Sequence, residues 1–367
     1  MKKSITKLSK MKKITILFSI VMVMIIIIIS CNKNEDDPVP TERKKYAWVS
    51  GEVDSTGYGM ILFSADSGET WVRQGQGSAA LQGIGVGDIW AVDENIVWAT
   101  ASNNAILRTN DGGQTWTRIT FPEISVNTNF MAISIVNKTN IWISGGGGIV
   151  LNSIDDGNTW TMFDTNFFHK GGMQGIWAIS PEKIYVVGGI GSTTKTERGF
   201  IGYTLDGGTT WDSVFPANNY NKWEWIGATA SGNTIVVYGG KSHYMVSTDG
   251  GTTWKNDSVP GAAGGAGPAD LNHLIMLNSQ TWWGAMDMGH ICFTTDGGST
   301  WTIQQTDQGF YFMVGIDAWD SQLALAVGTA EGLPKGVPII KTSNGGTDWE
   351  VKQTYNSDLN AISFIKQ

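Results

Sequence analysis

Two carboxylates set across a cleft can hydrolyse a glycosidic bond when they stand roughly 5 to 9.5 Å apart. Glu224 and Asp270 are the best-placed pair in this chain, the first opening an inner strand and the second one repeat further on; solvated loop acids are the plainer description of both. His243 and His290 stand four residues before equivalent phrases of neighbouring repeats, so they project alike from their own sheets instead of toward each other, and stacked sheets lie about 10 Å apart. With His169 and His273 they complete the histidines, and no cysteine spacing or HExxH-like context builds a zinc site. The reading is therefore no metal and no cofactor, and no Ser-His-Asp pattern, phosphate loop or dinucleotide fingerprint occurs. Cys292 falls in a column filled by Leu62, Leu107, Leu151, Met245 and Ile340 in other repeats, which makes it a buried apolar side chain and not a nucleophile.

The elements that must position these residues announce themselves through one phrase, Ser/Thr-x-Asp-x-Gly-x-Thr-Trp. It returns seven times, from Ser64 to Trp71, Thr109 to Trp116, Ser153 to Trp160, Thr204 to Trp211, Ser247 to Trp254, Thr294 to Trp301 and Thr342 to Trp349. The closing tryptophans lie 45, 44, 51, 43, 47 and 48 residues apart, a period that suits a four-stranded propeller blade. Asp-Gly and Gly-Gly supply the positive φ of a tight hairpin, the aspartate accepts hydrogen bonds from turn amides, and the Trp anchors the returning strand. Asp66, Asp111, Asp155, Asp206, Asp249 and Asp296 are thereby read as structural, as is Asn344, whose box also carries Asp348 in place of Thr.

Around the second box, Asp88 to Asp93, Ile96 to Thr100, Ala105 to Arg108 and Thr115 to Ile119 read as strands A, B, C and D. The same grammar recurs from Met131, Gln174, Trp223, Leu271 and Val314 and gives six complete blades. The seventh is split: Tyr46 to Gly51 aligns with a strand B that has no strand A before it, and Leu359 to Ile365 matches a strand A with nothing after it. An open ring would expose two sheet edges, so the C-terminal strand is expected to join the N-terminal three. The predicted fold is all-β, a single seven-bladed propeller of four-stranded blades over residues 46–367.

The N-terminus supplies an address. Six lysines within residues 1–13 and an almost wholly apolar stretch from Ile14 to Ile29 form the n-region and h-region of a secretory signal. The stretch is short for the roughly 20 residues of a membrane span. Ile28-Ile29-Ser30-Cys31 resembles the lipobox of bacterial lipoproteins, which implies cleavage after residue 30, a lipid anchor on the Cys31 thiol and a bacterial outer-membrane lipoprotein, periplasmic or surface-exposed. Residues 31–45, polar and Pro-containing, read as a disordered tether. Removing residues 1–30 removes six positive and no negative charges, taking the net charge from -8 to -14 and disfavouring nucleic acid as a partner.

The boxes with their Trp-rich B strands resemble the Asp-box (BNR) propeller superfamily, and the unit from Ile89 to Trp116 is most similar to the photosystem II stability/assembly factor type. The motif is specific for fold and poor for function. A sialidase of this superfamily would need three convergent arginines; the chain has five in all, with Arg43 in the tether, Arg73, Arg108 and Arg118 flanking boxes and Arg198 in a long loop. A xyloglucan-degrading enzyme usually pairs two propellers around its cleft, and this chain has one. The resemblance implies a non-enzymatic assembly or binding scaffold for a protein client, with a glycan-binding accessory lipoprotein or a glycoside hydrolase as alternatives. No photosystem client is implied, because the family's basic client-binding patch has no counterpart here.

The long connections all fall on the face of the D-to-A and B-to-C links. Phe167, Phe168, Tyr220, Trp223, Trp225, Phe310 and Tyr311 enter or border strand A there, near the channel mouth, and read as an aromatic binding face. The competing expectation is that half of these rings, notably Trp225 and the adjoining Phe312, turn inward between blades. For the anchor, Cys31→Ala is expected to leave uncleaved or soluble precursor; a variant with its leader cut that still partitions with detergent-phase membrane proteins would overturn the lipoprotein reading.

Overall fold

The computed structural model describes residues 44–163, 172–190, 198–214, 225–261, 263–264, 267–306, 312–329 and 336–365. Among them the chain forms seven four-stranded antiparallel sheets and one small two-stranded ribbon, Ala263–Gly264 with Gly267–Pro268. In blade 1 the strands run Val86–Ala91, Val97–Ala101, Ala105–Thr109 and Thr117–Thr120, A to D from the axis outward. The inner A strands of blades 2 to 6 are Phe130–Asn137, Gly172–Ala178, Trp225–Ser231, Leu271–Met276 and Phe312–Ala318. Blade 7 closes the ring as expected: the C-terminal strand Leu359–Phe364 pairs antiparallel with Ala47–Val53, Ala47 opposite Phe364 and Val49 opposite Ile362. Glu69 of blade 7 holds that junction from outside, receiving Lys341 Nζ at 2.5 Å and Lys352 Nζ at 2.8 Å from blade 6.

Every A strand carries a β-bulge at the same place. Met131, Gln174, Ile226, Asn272, Val314 and Asn360 are each the extra residue against strand B, and Gly87-Asp88 fills the position in blade 1. An extra residue reverses the side-chain alternation that a period of two would impose. The residues just before the bulge, Val86, Phe130, Met173, Trp225, Leu271, Met313 and Leu359, consequently point between blades and are buried, while the bulge residues line the axis. Three residues beyond the bulge, Ser134 Oγ accepts the Ala178 amide (3.0 Å), Asp317 Oδ2 the Phe364 amide (2.8 Å) and Ser363 Oγ the Ala91 amide (3.1 Å). These bonds sew inner strands together where no ladder runs between blades.

The boxes make the outer blade contacts. Positions four and five of each box both have positive φ, and position four accepts Ser67 and Asp156 as well as glycine. Position five is always glycine, because a Cβ there would collide with a side chain of the preceding blade: Leu325 at Gly68, Gln74 at Gly113, Trp98 at Gly157, Phe163 at Gly208, Tyr185 at Gly251, Tyr244 at Gly298 and Gln304 at Gly346. The box Trp packs on the same neighbour, as Trp160 does edge-on to Trp98 (centroids 6.2 Å apart) and Trp254 to Tyr185 (6.1 Å).

Gly157→Ala should therefore cost more than Gly77→Ala, although both have positive φ, because nothing lies within 4 Å of a Cβ on Gly77. Backbone strain of about 1–2 kcal/mol applies to both, and overpacking adds about 1–3 kcal/mol at Gly157 alone. Urea unfolding of the two variants reads the difference, and equal losses would refute the inter-blade role.

Candidate functional site

The recurring aspartates are saturated. In the second box Thr109 Oγ1 donates to Asp111 Oδ1 (2.8 Å), which also accepts the Thr115 amide (2.9 Å), and Oδ2 accepts the Thr115 hydroxyl (2.7 Å). Thr109 Oγ1 in turn accepts the Gly113 amide at 2.9 Å. The pattern repeats at Asp66, Asp155, Asp206, Asp249 and Asp296. The Thr115 amide above all holds the Asp111 carboxyl down at about 2, and the Thr253 hydroxyl does the same for Asp249. Asp155, Asp206 and Asp296 are lowered mainly by their threonine hydroxyls, and at Asp66 slight burial opposes the bonds from Thr70 and Ser64 without cancelling them. Asn344 keeps the acceptor role toward Thr342 and the Asp348 amide, but its Nδ2 donates to Asp348 Oδ2 at 3.0 Å. That box has exchanged donor and acceptor and remains closed.

The B-to-C turns and D-to-A links share the face opposite the boxes, joined by backbone bonds such as Asn104 N to Thr128 O and Asp287 N to Asp270 O. On this face Asp270 and Asp287 meet at the top of blade 5. Asp270 Oδ1 accepts the Lys241 amide at 2.6 Å; Asp287 Oδ1 accepts Asn272 Nδ2 at 2.8 Å and its Oδ2 the Asp270 amide at 3.2 Å. Burial raises the Asp287 pKa, and the charge of Asp270 adds to the effect. Sequence reasoning found Asp270 and missed Asp287, whose signal was an acid just after strand B, level with the start of strand A. Phe312 bridges to Asp287, and Phe312 (43 % exposed) and Met288 (42 %) leave an apolar step beside the two acids.

Of the expected aromatic face, Phe167, Phe168, Tyr220, Trp223, Phe310 and Tyr311 lie outside the described residues, as do Glu224 and Cys31. Trp225 is a correction: it is fully buried with Tyr185, Val187, Ile201 and Val237 between blades 3 and 4, because the bulge at Ile226 turns it off the channel side. Phe312 corrects the competing expectation in the other direction. Cys292 is buried in strand C of blade 5 beside Gly284 and Ile303, and burial pushes its thiol pKa up. His290 Nδ1 lies 3.0 Å from Asp287 O, and burial lowers the His243 pKa. Among the described residues no group of three or more His, Cys, Asp or Glu side chains could hold a metal ion. Arg73 pairs with Asp54 at 3.0 Å, Arg118 ties down Ala80 O and Gln82 O, and Arg108 binds Asp156 while stacking on Trp98. Arg73 thus braces the B-to-C turn of its own blade, Arg118 the link from blade 7 to blade 1, and Arg108 the junction of blades 1 and 2.

The axis is a cavity of about 560 Å³ walled by all seven A strands. Tyr238 of strand B in blade 4 reaches its wall past Gly227, where a Cβ would meet the phenol.

Residues 81–220 match the family described as photosynthesis system II assembly factor YCF48. Among solved structures, YCF48 bound to D1 peptide is 19 % identical with a TM-score of 0.54, over 72 % of this chain and 81 % of that one. YCF48 from Cyanidioschyzon merolae is 17 % identical with a TM-score of 0.56, over 72 % and 84 %. The GH74 xyloglucanase from Xanthomonas campestris is 14 % identical with a TM-score of 0.60, over 88 % of this chain and 56 % of that one. At such identities the likeness establishes the fold alone. No curated protein matches the chain.

The box carboxylates set an acid limit. Their folded pKa values are depressed from 3.8, to about 2 at Asp111 and Asp249, so their stabilisation is full above the unfolded value and is lost as pH falls through the folded one. Melting temperature should therefore drop between about pH 4 and about pH 2; a flat profile across that window would refute the linkage.

Proposed function

Because the chain is an Asp-box (BNR) repeat β-propeller, we propose that it is a non-enzymatic binding and assembly scaffold for a protein partner in the bacterial envelope. Its loop-rich face is the contact surface and the lipid on Cys31 is its membrane anchor. The observation that carries this reading is the asymmetry of the two faces. The box face is consumed by saturated hairpins, whereas the longest connections in the sequence join strand ends at the opposite face, which also exposes the Phe312–Met288 step. Exposed apolar patches of this kind serve association. The structure of a related propeller bound to D1 peptide supports a protein ligand as the general mode; the photosystem client itself is not carried over.

A second reading has one observation in its favour. Asp287, with its raised pKa, and Asp270 stand together beside Phe312, two carboxyl groups next to an exposed aromatic ring that a glycoside hydrolase could use. Phe312→Ala should weaken capture of a partner from envelope extract at least about tenfold, the loss expected when a hot-spot aromatic worth 1.4 kcal/mol or more is removed. It should do so with an unchanged melting temperature. Hydrolysis of xyloglucan oligosaccharides by the wild type that disappears in Asp287→Asn would replace the scaffold reading with the enzymatic one.

A further inference from the structure

The axial cavity carries a site of its own. At about 560 Å³ it falls in the size range of ligand pockets. Asp88 and Asp317 are among the residues lining it, and among the described residues no lysine or arginine does. Both carboxylates are fixed by backbone amides, Asp88 Oδ2 by Ile133 N at 3.0 Å and Asp317 Oδ2 by Phe364 N at 2.8 Å.

The register of the inner strands exposes an anomaly in this wall. Ser134, Asp317 and Ser363, three residues beyond their bulges, each accept an amide from the next blade. Thr229 holds the same register in blade 4, lines the cavity and is 1 % exposed, yet its Oγ1 has no hydrogen-bond partner. A buried hydroxyl left in that state is costly, and a donor entering the channel would satisfy it.

Trp90 and Trp177 occupy this register in blades 1 and 3, with ring centroids 5.6 Å apart. Indole faces attract cations. Trp319, further along the same wall, already receives one from this chain, Lys45 Nζ lying 5.7 Å from its ring centroid.

We propose that the axial channel binds an alkylammonium or guanidinium group, supplied by a lysine or arginine side chain of an extended peptide or by a free polyamine. The group sits among Thr229 Oγ1, the two indoles and the carboxylates, within the channel, whose wall includes neither Phe312 nor Met288 of the loop-rich face.

The test is calorimetric titration of the full chain with acetyl-Ala-Ala-Lys-Ala-Ala-amide, with the same peptide carrying Nε-acetyl-lysine, and with spermidine. The lysine peptide or spermidine should bind, with neutralisation of the lysine costing at least about tenfold. Thr229→Val should weaken binding about fivefold while leaving the melting temperature unchanged or raised, because it removes an unsatisfied polar group without changing volume. Binding of spermidine alone assigns the source to free amines, and binding of the peptide alone assigns it to protein. Silence with both probes, equal affinity for the two peptides, or a Thr229→Val variant that binds like the wild type would each overturn the proposal. Phe312→Ala should leave these titrations unaltered, so failure here is distinguishable from failure of the loop-face reading.

Discussion

A missing Cβ holds the ring together. The fifth residue of every box meets a side chain of the preceding blade so closely that only glycine fits, and the box Trp then packs on the same neighbour, as Trp160 does on Trp98. The box thus acts twice. It closes its own hairpin through the aspartate, and it seats its blade on the one before. With seven blades the last contact, Leu325 on Gly68, crosses the junction that the C-terminal strand completes. The hydrogen-bonded closure and the packed closure reinforce each other there.

The inner bulges are the counterpart of the box glycines at the axis. By reversing the side-chain alternation they send one residue per blade into the core and the next into the channel, as at Trp225 and Ile226. The stitching bonds from Ser134, Asp317 and Ser363 then fix the channel walls. Rigidity comes from both ends of each blade, which leaves the D-to-A and B-to-C links free to vary without cost to the ring. A scaffold built in this way can change its ligand by changing loops alone.

Charge is divided along the same lines. Arg108 is spent on the junction of blades 1 and 2, Arg73 on the B-to-C turn of its own blade 7 and Arg118 on the link from blade 7 to blade 1, and the box carboxylates are satisfied within their turns. Asp270 and Asp287 stand together at the loop-rich face, while Asp88, at the bulge, and Asp317, three residues beyond its own, put carboxylates held by backbone amides into the channel wall. An acidic chain with these placements is suited to partners that bring positive charge or apolar surface.

Blade number, strand order and ring closure were legible in the sequence because they follow from local rules: a fixed phrase, period-two alternation, and a strand missing at one end and left over at the other. The structural role of the box aspartates was legible for the same reason, since their partners lie within four residues. What lay beyond the sequence depends on neighbours distant along the chain. The invariance of Gly157 could be read as a φ requirement, but its true limit is Trp98, in the preceding blade. Trp225 stood between two readings, on the binding face or turned inward between blades, and the bulge at Ile226 decides for the second. Asp287 and the orphan hydroxyl of Thr229 acquire meaning only when the ring brings Asp270 and the channel wall beside them. Local hydrogen bonding fixes which segments pair; packing between blades fixes which side chains are left to meet a ligand.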